Sequence, residues 1–321
     1  MADYVGVDLG ASKILVAVGT VGNVRGRARR PTPPGPSGID VTEAVLDTVR
    51  SACDHAGVDP TQIAAGAIGS IGPFDLATGM IVNPANLPTS VDRIPLTGPL
   101  ANLIESDAVE LHNDTTAAVI GERYVASENP DDMVYLTIST GIGAGISVDG
   151  HVLTGWDGNA GEVGHITVDP TGRLTCGCGR DGHWEAYASG GGIPRYARFL
   201  AEEHGTDTIL PLADDDFTAA DVFDAHGHDE LADTVLESVG RWNAIGVANI
   251  VHAFAPLVIS VGGSVAIHNE SAVLDPLREA LPALVMSNVP DIRLSSLGEE
   301  AVVIGALASA MTDGTGTRSG V

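Results

Sequence analysis

The segment YVGVDLGASKILVAVGT (residues 4–20) sets Val5, Val7 and Leu9 in alternation with small or polar residues, then repeats the pattern with Ile14, Val16 and Val18. A period of two predicts two strands, joined by a tight turn that holds Asp8, Gly10 and Ser12. The layout returns at MVYLTISTGIGAGISVDG (133–150), again strand, glycine-rich turn, strand, with hydroxyl residues at the bend. Two copies of one unit, about 130 residues apart, predict an internal duplication with a ligand held between the halves.

The intervening sequence alternates strand and helix patterns. RRPTPPGPSG (29–38) reads as a loop. Val45, Val49, Ala52 and Cys53 share one helical face, which makes Cys53 a core thiol. IAAGAIGSIG (63–72) reads as a buried strand entering a glycine turn, and AVELHND (108–114) as a short strand ending on polar residues. TTAAVIGERYVA (115–126) follows as a helix. GVANIVHAFAPLVISVGGSVA (246–266) reads as helix, strand and glycine turn, and AVVIGALASAM (301–311) as a closing helix before a polar tail. The order predicts an α/β chain of two domains with a boundary near residue 115.

Composition narrows the function classes. The chain has 321 residues, 44% of them hydrophobic, and no apolar run near the roughly 20 residues a membrane helix needs. Only three residues precede Tyr4, so neither a signal peptide nor an added DNA-binding helix is expected there. Three cysteines in such a length do not read as a disulfide framework and point to a reducing cytoplasm. The formal net charge is −26, from 42 acidic residues against 16 Lys plus Arg, and Lys13 is the single lysine. Nucleic acid and anionic lipid are disfavoured as partners, because their phosphates carry the same sign. An ordinary acidic enzyme fits this charge. So does a cytoplasm of very high salt, where the Debye length falls to about 3 Å, and the near absence of lysine favours the second.

Several positions could carry chemistry. The turns Asp8–Ser12 and Ser139–Gly143 follow apolar strands, and each fits either a backbone cradle for phosphate or an ordinary hairpin bend. Thr140 and Ser12 add hydroxyl donors. Asp8 would repel a bare phosphate but suits one bridged by Mg2+. Neither GxxxxGK[ST] nor GxGxxG after a strand occurs. Asp114 reads as an N-cap and, equally, as a carboxylate kept ionised by a helix start and able to take a proton from a hydroxyl nucleophile. His165, Cys176, Cys178 and His183 form an N2S2 set with clustered glycines. They are read as a tetrahedral Zn2+ site, against free thiols beside surface histidines. His151, His226 and His228 lack such a setting and are expected to be solvated. Glu162 and Glu185 flank the set and could accept hydrogen bonds from a polyol. His165 could face the metal with one ring nitrogen and a sugar hydroxyl with the other.

With these motifs assembled, the chain resembles the ROK family of sugar kinases and repressors, within the actin-like, ribonuclease-H-like ATPases. Asp8-Leu-Gly10-Ala-Ser12-Lys13 is similar to the family's phosphate loop DxGxTK, and Thr140-Gly141 to its second loop. NPANLP (83–88) is similar to the sugar loop and puts Asn86 on the sugar. Asn113-Asp114 resembles the Asn–Asp pair whose Asp is the catalytic base. Glu162-Val-Gly164-His165 resembles the ExGH sugar motif. CGCGRDGHWE (176–185) resembles the zinc motif CxCGxxGCxE, with Glu185 as its sugar-binding glutamate. Gly262-Gly263 is similar to the adenosine-side turn. Two departures stand out: His183 replaces the third zinc cysteine, and Ala85 stands where proline is usual.

The resemblance implies a two-domain actin-like fold with an interdomain cleft. Residues 1–114 would form the smaller domain and 115–299 the larger, zinc-bearing one, with helix 300–312 packing back on the first. It implies ATP- and Mg2+-dependent phosphorylation of a hexose, glucose first and fructose, mannose or an N-acetylhexosamine as alternatives, with a sugar-responsive transcriptional regulator as the less favoured reading. Asp114 would be the base. Asn86, Asn113, Glu162, His165 and Glu185 would grip the sugar. Asp8, Gly10, Ser12, Lys13, Thr140, Gly141, Gly262 and Gly263 would bind the nucleotide. A homodimer or homotetramer is expected, with structural Zn2+ and with no nucleic-acid or membrane partner.

Overall fold

Strands β1 (Asp3–Leu9) and β2 (Lys13–Thr20) form the expected hairpin, paired from Tyr4↔Gly19 to Leu9↔Ile14. The computed structural model describes residues 2–35, 37–84, 87–88, 91–205 and 207–318; Ala85 and Asn86 of the sugar-loop expectation lie outside them. Asp8 is the last but one residue of β1 rather than part of the turn, which spans only Gly10 to Ser12. A third strand, β3 (Asn23–Pro31), pairs antiparallel with β2 and takes in residues 29–31, expected to be loop. Its sequence, NVRGRARRP, alternates arginine with small residues on an exposed edge, so no apolar period marks it.

Helix α1 (Gly38–Ala56) buries Val41, Val45, Val49, Ala52 and Cys53, which confirms the apolar face and the core thiol. Next come β4 (Ile63–Ser70), the short strands β5 (Phe74–Asp75), β6 (Met80–Val82) and β7 (Arg93–Pro95), and α2 (Thr97–Ile104). Then follow β8 (Val109–Asn113) and α3 (Asp114–Val125). The main sheet has the order β3-β2-β1-β4-β8, with β1, β4 and β8 mutually parallel. Val5, Val7 and Leu9 pack into one core with α1 and α2 residues. The opposite face of β1 is small because a helix backbone lies on it: a Cβ on Gly6 would stand 2.5 Å from the amide nitrogen of Leu307.

The second sheet begins with β9 (Met133–Ile138), β10 (Ile142–Val148) and β11 (His151–Val152). Helices α4 (Glu185–Ala188), α5 (Ile193–His204), α6 (Ala219–Asp224) and α7 (Glu230–Phe254) follow. The chain continues through β12 (Val258–Gly262), α8 (Ser264–His268), α9 (Glu270–Leu284) and β13 (Asp291–Leu294) to the closing helix α10 (Ala301–Thr312). The order β11-β10-β9-β12-β13 repeats that of the first sheet: a three-strand meander, then two strands reached through helices. The duplication visible in two hairpins therefore extends to both sheets.

The chain divides into two compact units. The first is Met1–Tyr135 with Gly145–Gly161 and Glu299–Val321; the second is Leu136–Ala144 with Glu162–Gly298. In the first, Ala306 and Ala310 of α10 pack on Ala67 of β4. In the second, α7 lies against α9, with Trp184 buried and its indole N–H donating to Asn243 Oδ1 at 2.9 Å. Among the described residues no helix is long and apolar enough to cross a membrane.

Candidate functional site

The parallel register of the first unit gathers one set of residues. Leu9 pairs with Ser70, and Ser70 with Asn113, so β1, β4 and β8 end at one level. The carboxyl ends of parallel strands are where open α/β sheets bind ligands. Asp8, the Gly10–Ser12 turn and Asn113–Asp114 all lie at these ends. The turn is closed by the Gly10 amide donating to Lys13 O at 2.9 Å. Two residues that sequence reasoning missed brace it. Thr32 Oγ1 donates to Gly10 O at 2.7 Å, and the buried Ser70 hydroxyl to Leu9 O at 3.0 Å. Ser70 could have been found from its place at the end of a buried apolar strand; Thr32 carries no such signal.

Asn113, not Asp114, is the N-cap of α3. Its Oδ1 accepts from the Thr115 amide at 3.0 Å and from the Thr115 hydroxyl at 2.8 Å. Asp114 is the first helical residue and accepts from the Thr115 amide at 2.7 Å. Both types cap helices well, and side-chain geometry makes the choice. Asp8 is buried, and that burial, followed by the charge of Asp114, pushes its carboxyl up to about 7, with Lys13 pulling the other way. The Lys13 ammonium lies 3.6 Å from Glu299.

The second unit gathers the other set. A turn of 3-10 helix at Val163–His165 presents His165 three residues after Glu162, whose carboxylate lies 3.8 Å from His165 Nε2. The opposite nitrogen, Nδ1, is 3.7 Å from Cys176 Sγ, and Cys178 Sγ is 3.3 Å from His183 Nδ1. One ligand atom from each of His165, Cys176, Cys178 and His183 lies within 4.8 Å of every other. Burial pushes the Cys176 thiol up to about 11, and burial and the neighbouring His165 hold His183 below the usual imidazole range. Burial raises the Glu162 carboxyl, with Glu185 adding to the rise and His165 opposing it.

Glu185 begins α4 and faces the same cluster. Its Oε1 accepts from the Cys176 thiol at 3.6 Å, and its Oε2 accepts from the Ile142 amide at 3.0 Å. The second contact explains Gly141, where a Cβ would stand 2.6 Å from Glu185 Oε2. Nearby, a cleft of about 360 Å³ is lined by Thr140, Gly191, Phe223, Ser264, His268 and Asn269, among others. Thr140 is one of the residues expected to bind phosphate. Gly262 ends β12 and Gly263 precedes α8, next to Ser264. Phe223 and His268 come from helices, and Asn269 from the junction between two, that the sequence did not mark as functional. Ser264 also meets Ser139, Oγ to Oγ at 3.0 Å. His151, His226 and His228 are exposed, as expected.

The family model described as "ROK family" matches residues 4–313. The chain belongs to the ROK family. It is 38% identical to a glucokinase of Pyrobaculum calidifontis over 97% of this chain and 95% of that protein. Among solved structures it is similar to the ROK hexokinase of Thermus thermophilus, with 33% identity, a TM-score of 0.82, and 97% and 98% of the two chains covered. It is also similar to a ROK family glucokinase of Streptomyces griseus, solved in complex with glucose and AMPPNP. That match has 29% identity and a TM-score of 0.75, over 97% and 99% of the chains. The resemblance read from the motifs is borne out over almost the whole length. So is the fold class, because the two-domain actin-like ATPase architecture is that of these ROK kinases.

Proposed function

We propose that this ROK protein is a glucokinase that transfers the γ-phosphoryl group of ATP to the 6-hydroxyl of glucose. Asp114 carries the proposal: an acid at the ends of three parallel strands, beside Asp8, in a chain 38% identical to a glucokinase. Asp114 Oδ takes the hydroxyl proton as O6 bonds to the γ-phosphorus, and the bond to the bridging β–γ oxygen breaks to release ADP. Proton loss is late in such transfers, so an ordinary carboxylate is basic enough. Asn86, Asn113, Glu162, His165 and Glu185 orient the sugar through its hydroxyls. The backbone at Gly10, Ser12, Thr140 and Gly141 receives phosphate oxygens, Lys13 adds positive charge, and Gly262–Gly263 border the adenosine.

Asp8 is the residue for Mg2+, which would neutralise charge on the transferring phosphoryl group. A buried acid raised by a second acid nearby is a setting that a divalent cation relieves. His165, Cys176, Cys178 and His183 fit Zn2+. Bonds of about 2.3 Å to sulfur and 2.0–2.1 Å to nitrogen separate tetrahedral ligands by about 3.4–3.8 Å, and the 3.3 and 3.7 Å contacts lie near that range. Zinc there would fix the ring orientation of His165, leaving Nε2 for a sugar hydroxyl.

The net charge of −26 supports a cytoplasm of high salt as the working environment. Leu257, Leu284, Met286 and Val289 are exposed on the second unit, Met286 by 93%, and support a homodimer or homotetramer. Sedimentation and thermal melting across a KCl series test both points. The test of the main proposal is a coupled assay of glucose, fructose, mannose and N-acetylhexosamines with ATP, other nucleotides and polyphosphate at molar KCl. Glucose with ATP should give the highest kcat/KM. No phosphorylation of any sugar would overturn the proposal.

A further inference from the structure

The segment from His165 to His183 folds back on itself through backbone bonds, whatever its tip binds. Trp184 N donates to Ile166 O at 3.0 Å, Val168 N to Gly182 O at 2.9 Å, and Cys176 N to Arg180 O at 2.8 Å. At the base of this loop sits a buried acid that no proposed catalytic or metal-binding role uses. Asp169 is 3% exposed. It accepts from the Thr171 amide at 3.0 Å and the Thr171 hydroxyl at 2.5 Å. It also accepts from the Arg173 amide at 3.3 Å, from Arg173 Nε at 3.2 Å, and from the Tyr187 hydroxyl at 2.7 Å. The Tyr187 oxygen in turn accepts from the Leu174 amide at 2.9 Å. The Tyr187 ring is fully buried, edge-on to Tyr196 at 5.3 Å and 4.9 Å from Trp242.

The location gives this network its meaning. Asp169 is four residues after His165, and Tyr187 is two residues after Glu185 on α4. One phenol–carboxylate bond thus ties the segment leaving His165 to the helix carrying Glu185. We infer that Asp169 and Tyr187 are positioning residues: a clasp that holds His165 and Glu185 in register whether or not the His/Cys cluster carries its metal. The inference rests on the reading of His165 and Glu185 as sugar ligands. Burial alone would push the Asp169 carboxyl up. The bonds from Thr171 and Tyr187 outweigh it and hold the group well below the usual carboxylate range. Burial and the same bond raise the Tyr187 phenol. The pair therefore stays carboxylate and phenol across the physiological range, and the clasp does not open with pH. A fastening independent of metal suits a chain whose fourth donor is His183 in place of cysteine.

Tyr187→Phe tests this with the full chain. Its glucose KM should rise about tenfold and its ATP KM by a smaller factor, through the Glu185–Ile142 bond, with kcat within about twofold. Hydrogen exchange gives a readout independent of catalysis. In wild-type protein stripped of metal by a chelator, the amides of Val168, Cys176, Gly182 and Trp184 should stay protected. In stripped Tyr187→Phe they should exchange like open loop. An unchanged glucose KM, equal losses for both substrates, or loss of protection in the stripped wild type would each overturn the clasp. If Tyr187→Phe does not fold, Thr171→Ala removes one donor from the same carboxylate and keeps the ring. It should shift glucose KM and exchange in the same direction by a smaller factor, and no shift would overturn the clasp. If the wild type phosphorylates no sugar, the kinase proposal fails, and exchange alone still decides the clasp.

Discussion

Glu185 Oε2 accepts a hydrogen bond from the Ile142 amide at 3.0 Å while Oε1 meets the Cys176 thiol at 3.6 Å. One carboxylate therefore touches the glycine turn assigned to phosphate and the loop assigned to sugar. Glu185→Ala should raise KM for both glucose and ATP, with kcat/KM falling at least about tenfold for each, since a buried amide loses its partner. Steady-state kinetics with each substrate varied in turn decides it. A loss confined to glucose would show that the Ile142 bond does not organise the turn.

Asp114→Asn keeps the volume and an acceptor for the Thr115 amide, so α3 should start unchanged. It removes the proposed proton acceptor. The expected result is a fall in kcat of about 10²–10⁴, with glucose binding, followed by calorimetry, kept within about threefold. Full activity in this variant would refute the assignment of the base.

The fold was legible where apolar residues alternate. Val5, Val7 and Leu9 announced β1, and the matching hairpin at 133–150 announced the repeat that both sheets complete. Where a strand lies at an edge and alternates arginine with small residues, as β3 does, the period disappears. The His/Cys cluster was legible because its four side chains lie within 19 residues of sequence and spacing alone nearly closes the ring. Thr32, Asp169 and Tyr187 were not. The Thr32–Gly10 and Tyr187–Asp169 bonds join residues 22 and 18 positions apart, and such pairings leave no trace in a local pattern.

Asp8 gives the fold a predictable dependence on pH. Its carboxyl ionises near pH 7 in the folded chain, against 3.8 when unperturbed. Between about pH 4 and 7 the folded state holds a proton that the unfolded chain has released, so this group's contribution to stability falls as pH rises, and is constant above 7. Asp8→Asn removes the effect. Without nucleotide or divalent ion, the variant should melt with the wild type near pH 4 and above it at pH 8, by about 4 kcal/mol at most. Thermal melting at several pH values, with the high salt held constant, measures this. An offset that does not change with pH would show that Asp8 is ionised throughout.

The His/Cys cluster predicts a stoichiometry. Protein produced without a histidine tag should carry about one zinc per chain by elemental analysis, since four neutral or thiolate donors within 4.8 Å leave no place for a second ion. His183→Ala removes one of the four and should lose most of its zinc to a chelator that leaves the wild type loaded. His183→Cys should retain it, because a thiolate replaces an imidazole in the same tetrahedron. Burial holds His183 below the usual imidazole range, so its ring is already neutral near pH 7 and binds without first giving up a proton. Cys176, pushed up to about 11, must lose its proton to bind, so zinc affinity should weaken as pH falls. Absence of zinc from the wild type at neutral pH would remove the metal from this account and leave the His165 ring to be held by its protein contacts alone.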